Sequence, residues 1–367
     1  MADKSVKMDD SYKKESHLQQ TATGRAIETK VIANRLLKYI EENQEEFQSL
    51  NPFRIAEFGC ADGSNSVGIL RQLIETIRSK SETKPIEIIC NDLASANFSA
   101  LFELLNPLKE EFSRVFISVI GNSFYKQVFS ENTIDLAFSF TSIHWLQNIP
   151  CFLEASIFSP FGLEDLDPRA TSAWSKQASD DWKLFLELRQ RELKPHGFMY
   201  VTTLTYSTPP TKGHLMSIKS DRALMQTIVG LLEENGYQDY KAEFPLPIMR
   251  RQRTQLSEPF DEGSDLKLKK ELYEDYSFEI GIISQLIDSG NMDALLPLLK
   301  AGNQAVTGPY YRSKLKKIEG ITDEKVEEIW NLIYDRMFSS VPEWITDLGE
   351  LKEMHYFELI VSNSQEQ

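Results

Sequence analysis

The sequence predicts an α/β fold: a Rossmann-like, largely parallel sheet with helices on both faces and an α-helical cap inserted before the last strand. Two observations lead to this prediction. Short apolar runs alternate with amphipathic helical patterns over the first 206 residues, as expected for strands joined by crossover helices. Strand character then becomes rare until one more apolar run near the end of the chain. We therefore expect the last run to rejoin the sheet.

The predicted strands are apolar runs of strand length. They span residues 53–58, 85–92, 115–121, 133–140, 197–206 and, at the end of the chain, 353–362. Helical periodicity separates them, at 24–47, 67–77, 97–105 and 179–193. Strands that alternate with helices in this way favour parallel neighbours.

The domain prediction follows from the change of pattern after residue 206. Residues 208–345 resemble helices and loops, most clearly at 273–287 and 323–338. A length of 367 residues suits one core with a large insertion. We therefore predict a core of residues 1–207 and 346–367 and a mainly helical cap of residues 208–345. A small part of the cap is expected from 151–176.

Composition argues against several classes of protein. The formal net charge is −15, whereas a nucleic-acid partner demands a basic surface. The one basic run, "MRRQR" at 249–253, is interpreted as a solvated face. No apolar stretch approaches the length of a membrane span. We expect no nucleic-acid partner and no membrane.

Cysteine and histidine usage bears on location and on metals. Cys60, Cys90 and Cys151 show no Cys-x-x-Cys spacing, and the five histidines form no His-x-x-x-His pair. Free thiols in a reducing compartment are the simplest interpretation, and no metal site is predicted. The start of the chain has no apolar signal region. We therefore expect a cytoplasmic protein.

A glycine turn follows the first strand in "FRIAEFGCADGSNS". Its glycines, Gly59 and Gly63, are four residues apart, and Ala61 stands where a dinucleotide fold has its second glycine. The looser turn suits a ligand without a pyrophosphate, such as S-adenosylmethionine (SAM). Asp92 ends the second strand, and its carboxylate can accept two ribose hydroxyls. The alternative is that Asp92 caps the following helix.

Several stretches resemble the SABATH family of SAM-dependent carboxyl methyltransferases. They are "SYKKESHLQ" (11–19), "IAEFGCADGSNS" (55–66), "NDLASANFSALF" (91–102), "IGNSFYKQVF" (120–129) and "FTSIHWLQNIP" (140–150). The resemblance covers roughly residues 11–205 and is vague in the helical region. It implies a Rossmann-like SAM-dependent methyltransferase sheet and SAM as the cofactor.

The resemblance also implies roles for individual residues. Gln19 and Trp145 would hydrogen-bond the acceptor carboxylate, with His144 beside it. A small carboxylic acid would be the substrate, and a homodimer is possible because the family is often dimeric. Contacts to SAM, from its carboxylate to its adenine, would come from Tyr12 and Ser16, then Glu57 and Asn65, then Asp92 and Leu93, and last Ser123 and Phe124.

Four positions depart from the family pattern. Glu15 stands where an asparagine is usual, Ala61 and Asp62 replace a pair of serines, and Thr141 replaces a tyrosine that lines the acceptor pocket. The last change suggests a different or roomier acceptor. No particular plant-hormone substrate is therefore implied.

The implied reaction needs no general base. A carboxylic acid with a pKa of roughly 4 is already ionised near pH 7, so the enzyme has to align the reactants and exclude water. A base would be required only for an N–H or O–H acceptor. The alternatives are an N-methyltransferase of a small heterocycle, a non-catalytic SAM-binding protein, and an NAD-linked oxidoreductase, which the missing Gly-x-Gly-x-x-Gly disfavours.

Overall fold

The computed structural model describes residues 17–151, 168–206, 212–261, 263–339 and 352–364. These residues form one sheet with helices on both faces. The strands are β1 (Phe53–Phe58), β2 (Ile86–Asp92), β3 (Val115–Gly121), β4 (Ile134–Phe140), β5 (Leu193–Tyr206), β6 (Arg251–Gln252), β7 (Leu268–Glu279) and β8 (Glu353–Asn363).

The helices of the described residues precede, join and follow these strands. They are α1 (His17–Thr29), α2 (Val31–Glu42), α3 (Gln44–Gln48), α4 (Val67–Lys80), α5 (Phe98–Glu111), α6 (Pro168–Glu192), α7 (Lys212–Glu234), α8 (Arg253–Ser257), α9 (Gly281–Asp288), α10 (Met292–Leu315) and α11 (Asp323–Met337).

The strand order is β3-β2-β1-β4-β5-β8-β7, and β6 pairs with the end of β5. The pairs among β1 to β5 are parallel, whereas β8 is antiparallel to both β5 and β7. The predicted α/β sheet and the return of the last strand are therefore confirmed.

The central strands are buried on both faces, which explains why their sequences are continuous apolar runs. In β1, Phe53 and Ile55 face one hydrophobic core with α2, α4 and α5. Ala56 and Phe58 face a second core with Trp182 of α6. Because side chains alternate along a strand, one short run supplies both cores.

The structure differs from the sequence predictions in three elements. The helix expected at 24–47 is three helices, broken at Lys30, which has φ +54°, and at Asn43. The helix expected from 179 begins at Pro168. The first part of the 273–287 segment, expected to be helical, is strand β7, so the region assigned to the cap also contributes to the sheet. The domain boundaries themselves stay a prediction.

Helices α7, α10 and α11 share a hydrophobic core of their own. Trp145, in the loop that follows β4, packs against this core. The segment 246–249 joins the two regions, because Leu146 N donates to Pro247 O and Met249 N donates to His144 O. The loop after β4 is therefore held between the sheet and the cap. None of the helices in the described ranges is both long and apolar enough to cross a membrane.

Helix α1 is bonded to strand β8 through the buried carboxylate of Glu358. Arg25 of α1 donates to Glu358 Oε1 at 3.0 Å, and Tyr200 of β5 donates to Glu358 Oε2 at 3.1 Å. The Arg25 guanidinium also lies 4.1 Å from the ring centre of Tyr276. Gln19, which is predicted to bind the methyl-accepting acid, lies in α1. These contacts therefore fix its backbone relative to β5 and β8.

Candidate cofactor and acceptor site

Four loops meet where the parallel strands end. They follow β1 (59–66), β2 (92–97), β3 (122–125) and β4 (141–147). The carboxyl edge of an open parallel sheet is where ligands of such folds bind. The structure thus brings the predicted residues of these loops to one edge.

The loop after β1 is shaped by glycine at two positive φ angles. Gly59 has φ +81° and Gly63 has φ +80°, a region in which other residues are strained. A Cβ on Gly59 would lie 2.2 Å from Ser142 Oγ. The first glycine therefore lets the loops after β1 and β4 touch, a contact that sequence reasoning missed.

Asp92 holds the same loop from the side of β2. Its Oδ2 accepts from Ala61 N at 2.7 Å, and its Oδ1 accepts from Leu93 N at 2.7 Å. A carboxylate has about four lone-pair sites, so two remain for the two ribose hydroxyls. Burial raises the pKa of Asp92. The helix-capping alternative is wrong, because Asn97 caps α5 through a bond from Ala100 N.

Glu57 and Asn65 present acceptor oxygens beside the loop. Glu57 is buried, and Ser66 Oγ donates to its Oε1 at 2.6 Å. Burial raises the pKa of Glu57 to about 7. Asn65 Oδ1 is buried with no hydrogen-bond partner among the described residues. An ammonium group fits this pair, since it supplies both the donors and the positive charge that favour the ionised Glu57.

The loop after β3 offers an aromatic face. Phe124 packs edge-on against Phe185 of α6, with ring centres 5.8 Å apart, and Ser123 Oγ accepts from Tyr125 N at 3.2 Å. Leu93, on the neighbouring loop, is half-buried. Polar and apolar groups of this kind suit an adenine.

Trp145 and His144 lie on the loop after β4. Trp145 pairs through its backbone with Ile248, and its indole N–H has no hydrogen-bond partner within the described part of the chain. His144 is buried, and its Nδ1 is likewise unpartnered there. Burial, helped by the charges of Arg250 and Arg251, lowers the pKa of His144 to about 3. Its imidazole is therefore neutral across pH 6–8.

Three predicted residues cannot be placed from their side chains. Tyr12 and Ser16 lie outside the described residues, as does the side chain of Gln19, whose backbone is in α1. The roles assigned to all three stay predictions. In the ranges that are described, no group of three histidine, cysteine or acidic side chains could hold a metal ion.

The basic run at 249–253 is not a solvated face, so that interpretation is wrong for its central arginine. Arg251 is 1% exposed, and its guanidinium donates to Ala178 O and Ile143 O. Only Arg253, which pairs with Asp275, is exposed as expected. The β-strand pairing of Arg251 with Thr205 carries it inward, and no pattern in the sequence marks that pairing.

Comparison with known proteins identifies the family. Residues 3–272 match the family model described as SAM-dependent carboxyl methyltransferase, and the chain belongs to this family. The resemblance to SABATH proteins and the SAM cofactor of the family are therefore confirmed.

Individual relatives are distant. The chain is 25% identical over 294 residues to a salicylate/benzoate carboxyl methyltransferase of Arabidopsis thaliana. The matched region covers 74% of this chain and 75% of that protein. It is 28% identical over 219 residues to 7-methylxanthine methyltransferase 1 of Coffea canephora, which covers 53% and 57%. Other relatives are matched over only 44–59% of their own length.

A solved structure supports the fold. A loganic acid methyltransferase with S-adenosylhomocysteine (SAH) superposes with a TM-score of 0.75, covering 98% of this chain and 99% of that one. The sequences are 18% identical, so the likeness concerns the fold alone. It confirms the SAM-dependent methyltransferase fold.

The Gly59–Ser142 contact predicts the effect of one methyl group. In Gly59→Ala the new Cβ would collide with Ser142 and face a strained φ. We expect a loss of roughly 2–4 kcal/mol in unfolding free energy and SAM binding at least ~10-fold weaker. Chemical denaturation and calorimetry measure the two effects.

Gly230→Ala is the matched control for this change. Gly230 lies inside α7, and an added Cβ meets nothing within 4 Å. We expect this variant to gain up to about 1 kcal/mol of stability and to bind SAM as the wild type does. Wild-type stability and SAM affinity in Gly59→Ala would show that the close approach of the two loops is unimportant.

Proposed function

We propose that this protein is a SAM-dependent O-methyltransferase that converts the carboxylate of a small, mainly apolar acid to its methyl ester. The observation that carries the proposal is the indole N–H of Trp145, which has no hydrogen-bond partner among the described residues and lies on a loop whose backbone is bonded to both sheet and cap. Trp145 is half-buried, and an indole N–H that loses its contact with water when a ligand binds needs a new acceptor. A ligand acceptor such as a carboxylate oxygen would satisfy it.

SAM would be held by the residues that fit its parts. Glu57 and Asn65 suit the amino-acid end, Asp92 the ribose, and Ser123 and Phe124 the adenine. Once bound, SAM supplies an electrophilic methyl group on a sulfonium. The chain's own task is then to place an acid beside that methyl group and to keep water away.

The acceptor would be oriented by neutral donors. Trp145 offers an indole N–H, and Gln19 is proposed to offer an amide N–H. A close cation would quench the nucleophilicity of a carboxylate, whereas neutral donors orient it without doing so. His144 is neutral because of its lowered pKa, so it adds no charge. It would shape the pocket beside the reacting oxygen.

The identity of the acid is left open by Thr141. This residue is buried, has φ +51°, and its Oγ1 has no partner among the described residues. It is much smaller than the tyrosine of the family pattern. The proposed pocket is therefore roomier, and the substrates named for the plant relatives are not carried over.

An N-methyltransferase is the second candidate function, favoured by the coffee relative that is named for 7-methylxanthine. An N–H acceptor needs a base. The lowered pKa of His144 makes it a weak base, which favours the carboxylate. A non-catalytic SAM-binding protein remains the third alternative.

Two further expectations belong to this proposal. A cytoplasmic location is supported by Cys60 and Cys90, which are buried free thiols. A homodimer is supported only by the family resemblance. Size-exclusion chromatography with light scattering tests the second of these.

The proposed function is tested with a panel of acceptors and methyl-labelled SAM. The panel holds aromatic, aliphatic and terpenoid carboxylic acids, with xanthines as the competing class. We expect label to enter a base-labile methyl ester of at least one acid and no xanthine. Transfer to a xanthine nitrogen alone would favour the second candidate. SAM binding without transfer to any member of either class would favour the third.

The role of Trp145 predicts a selective loss in Trp145→Phe. The ring is kept and the N–H is removed, so a hydrogen bond to a charged group is lost. We expect kcat/KM for the acid to fall by roughly 10- to 100-fold, with the Kd for SAM unchanged. Steady-state kinetics and calorimetry measure these quantities.

Trp330→Phe is the control for that loss. Trp330 donates its indole N–H to Gly308 O inside the cap, so this donor already has a protein partner. It should keep the wild-type kcat/KM. Equal losses in the two variants, or a fall in SAM affinity in Trp145→Phe, would contradict the assignment of Trp145 to the acceptor.

A further inference from the structure

Three consecutive backbone carbonyls of the loop after β4 accept hydrogen bonds from three different parts of the chain. Ile143 O accepts from the guanidinium of Arg251. His144 O accepts from Met249 N at 2.8 Å. Trp145 O accepts from the hydroxyl of Tyr125 at 2.6 Å. The backbone that carries His144 and Trp145 is thus fixed from several sides.

Tyr125 links this loop to the loop after β3. It is 5% exposed, and its ring lies edge-on to Phe124 with centres 4.7 Å apart. Its hydroxyl also lies 3.4 Å from Ile143 O. Burial raises the pKa of Tyr125, so the phenol stays a proton donor at neutral pH. Tyr125 follows Phe124, which is a proposed contact of the adenine. It therefore also holds the backbone of Trp145, which is a proposed contact of the acceptor acid.

Arg251 holds the loop from the opposite side. Its Nε donates to Ala178 O of α6 at 2.8 Å, and its Nη1 donates to Ile143 O. The strand β6 that carries it pairs with β5 and lies next to the segment that bonds the cap. A charged donor forms stronger bonds to carbonyls than a neutral one does. The guanidinium joins α6 and the loop, and the backbone of Arg251 pairs with the end of β5.

We propose that Tyr125 and Arg251 are positioning residues that fix the backbone of residues 143–145 and so aim the Trp145 indole at the acceptor. The inference rests on the proposed function for its effect on catalysis. The hydrogen bonds from Tyr125 and Arg251 to the carbonyls of residues 143 and 145, called the brace below, do not depend on that function. Tyr125 also couples the two halves of the site, because a shift of Phe124 moves the ring that holds Trp145 O.

The first test is Tyr125→Phe, which keeps the ring and removes only the hydroxyl. Hydrogen exchange of the amides of Leu146 and Gln147, bonded to Pro247 O and to Asp181, reports on the loop without any acceptor. We expect these amides to exchange at least ~10-fold faster. Unchanged exchange would overturn the proposal, whatever the acceptor panel shows.

The kinetic readout separates positioning from general stability. For the acid with the highest kcat/KM in the panel, we expect that quantity to fall by roughly 10- to 100-fold, with the Kd for SAH unchanged by calorimetry. Wild-type kcat/KM with faster exchange would show that the brace does not aim Trp145, and would overturn the catalytic part. If the wild type methylates no acid, the proposed function fails while the exchange result still decides the brace.

Tyr334→Phe is the matched control. Tyr334 is fully buried, and its hydroxyl lies 2.6 Å from Thr307 Oγ1 inside the cap. This variant loses a buried tyrosine hydroxyl that bonds within the cap and not to the loop. It should leave both the exchange of Leu146 and Gln147 and the kcat/KM unchanged. Equal effects in Tyr334→Phe and Tyr125→Phe would show a general loss of stability and overturn the proposal.

A second pair of variants tests Arg251 independently. Arg251→Lys keeps the charge but cannot reach two carbonyls with a planar fork. Arg253→Lys makes the same change at an exposed ion pair with Asp275. We expect faster exchange of the loop amides in Arg251→Lys only. If the loop amides of Arg251→Lys exchange as slowly as those of the wild type, Arg251 does not fix the backbone of residues 143–145, and its part of the proposal is overturned.

Discussion

The close approach of Gly59 to Ser142 is the contact on which the site depends. It joins the loop after β1, which is proposed to hold SAM, to the loop after β4, which carries Trp145. Ser142 Oγ lies 3.1 Å from Gly59 O, and the space between them has no room for a side chain. Asp92 bonds the same glycine loop, and Tyr125 bonds the loop of Trp145. The proposed contacts from these loops therefore depend on one edge of the sheet.

Burial gives the site a common electrostatic character. It raises the pKa of Glu57 and Asp92 and lowers the pKa of His144, so each group is shifted toward its neutral form. A bound cation would restore the charge of the two carboxylates. Methyl transfer from a sulfonium to a carboxylate removes one positive and one negative charge, which a poorly solvated site favours.

The bounds of β1 and β3 agree with the prediction, because each is a mainly apolar run next to a polar loop. Strand β7 was missed because Lys269, Lys270 and other charged residues cover its exposed side and outer edge. Arg251 was missed because its burial arises from a pairing with β5 that no local pattern encodes. The Gly59–Ser142 contact was equally hidden, since it joins residues 83 apart.

The most direct test of base-free carboxyl methylation is the single-turnover rate against pH, at saturating SAM, for the wild type and His144→Asn. An acid acceptor is ionised across pH 6–8, and His144 has a pKa of about 3. Neither group titrates in this interval, and at saturating SAM the bound ammonium group would keep Glu57 ionised, although burial raises its pKa to about 7. A shallow profile is expected for both proteins, with a rate in His144→Asn within about 10-fold of the wild type. A rising limb near pH 6.5 that disappears in His144→Asn, together with most of the activity, would contradict it.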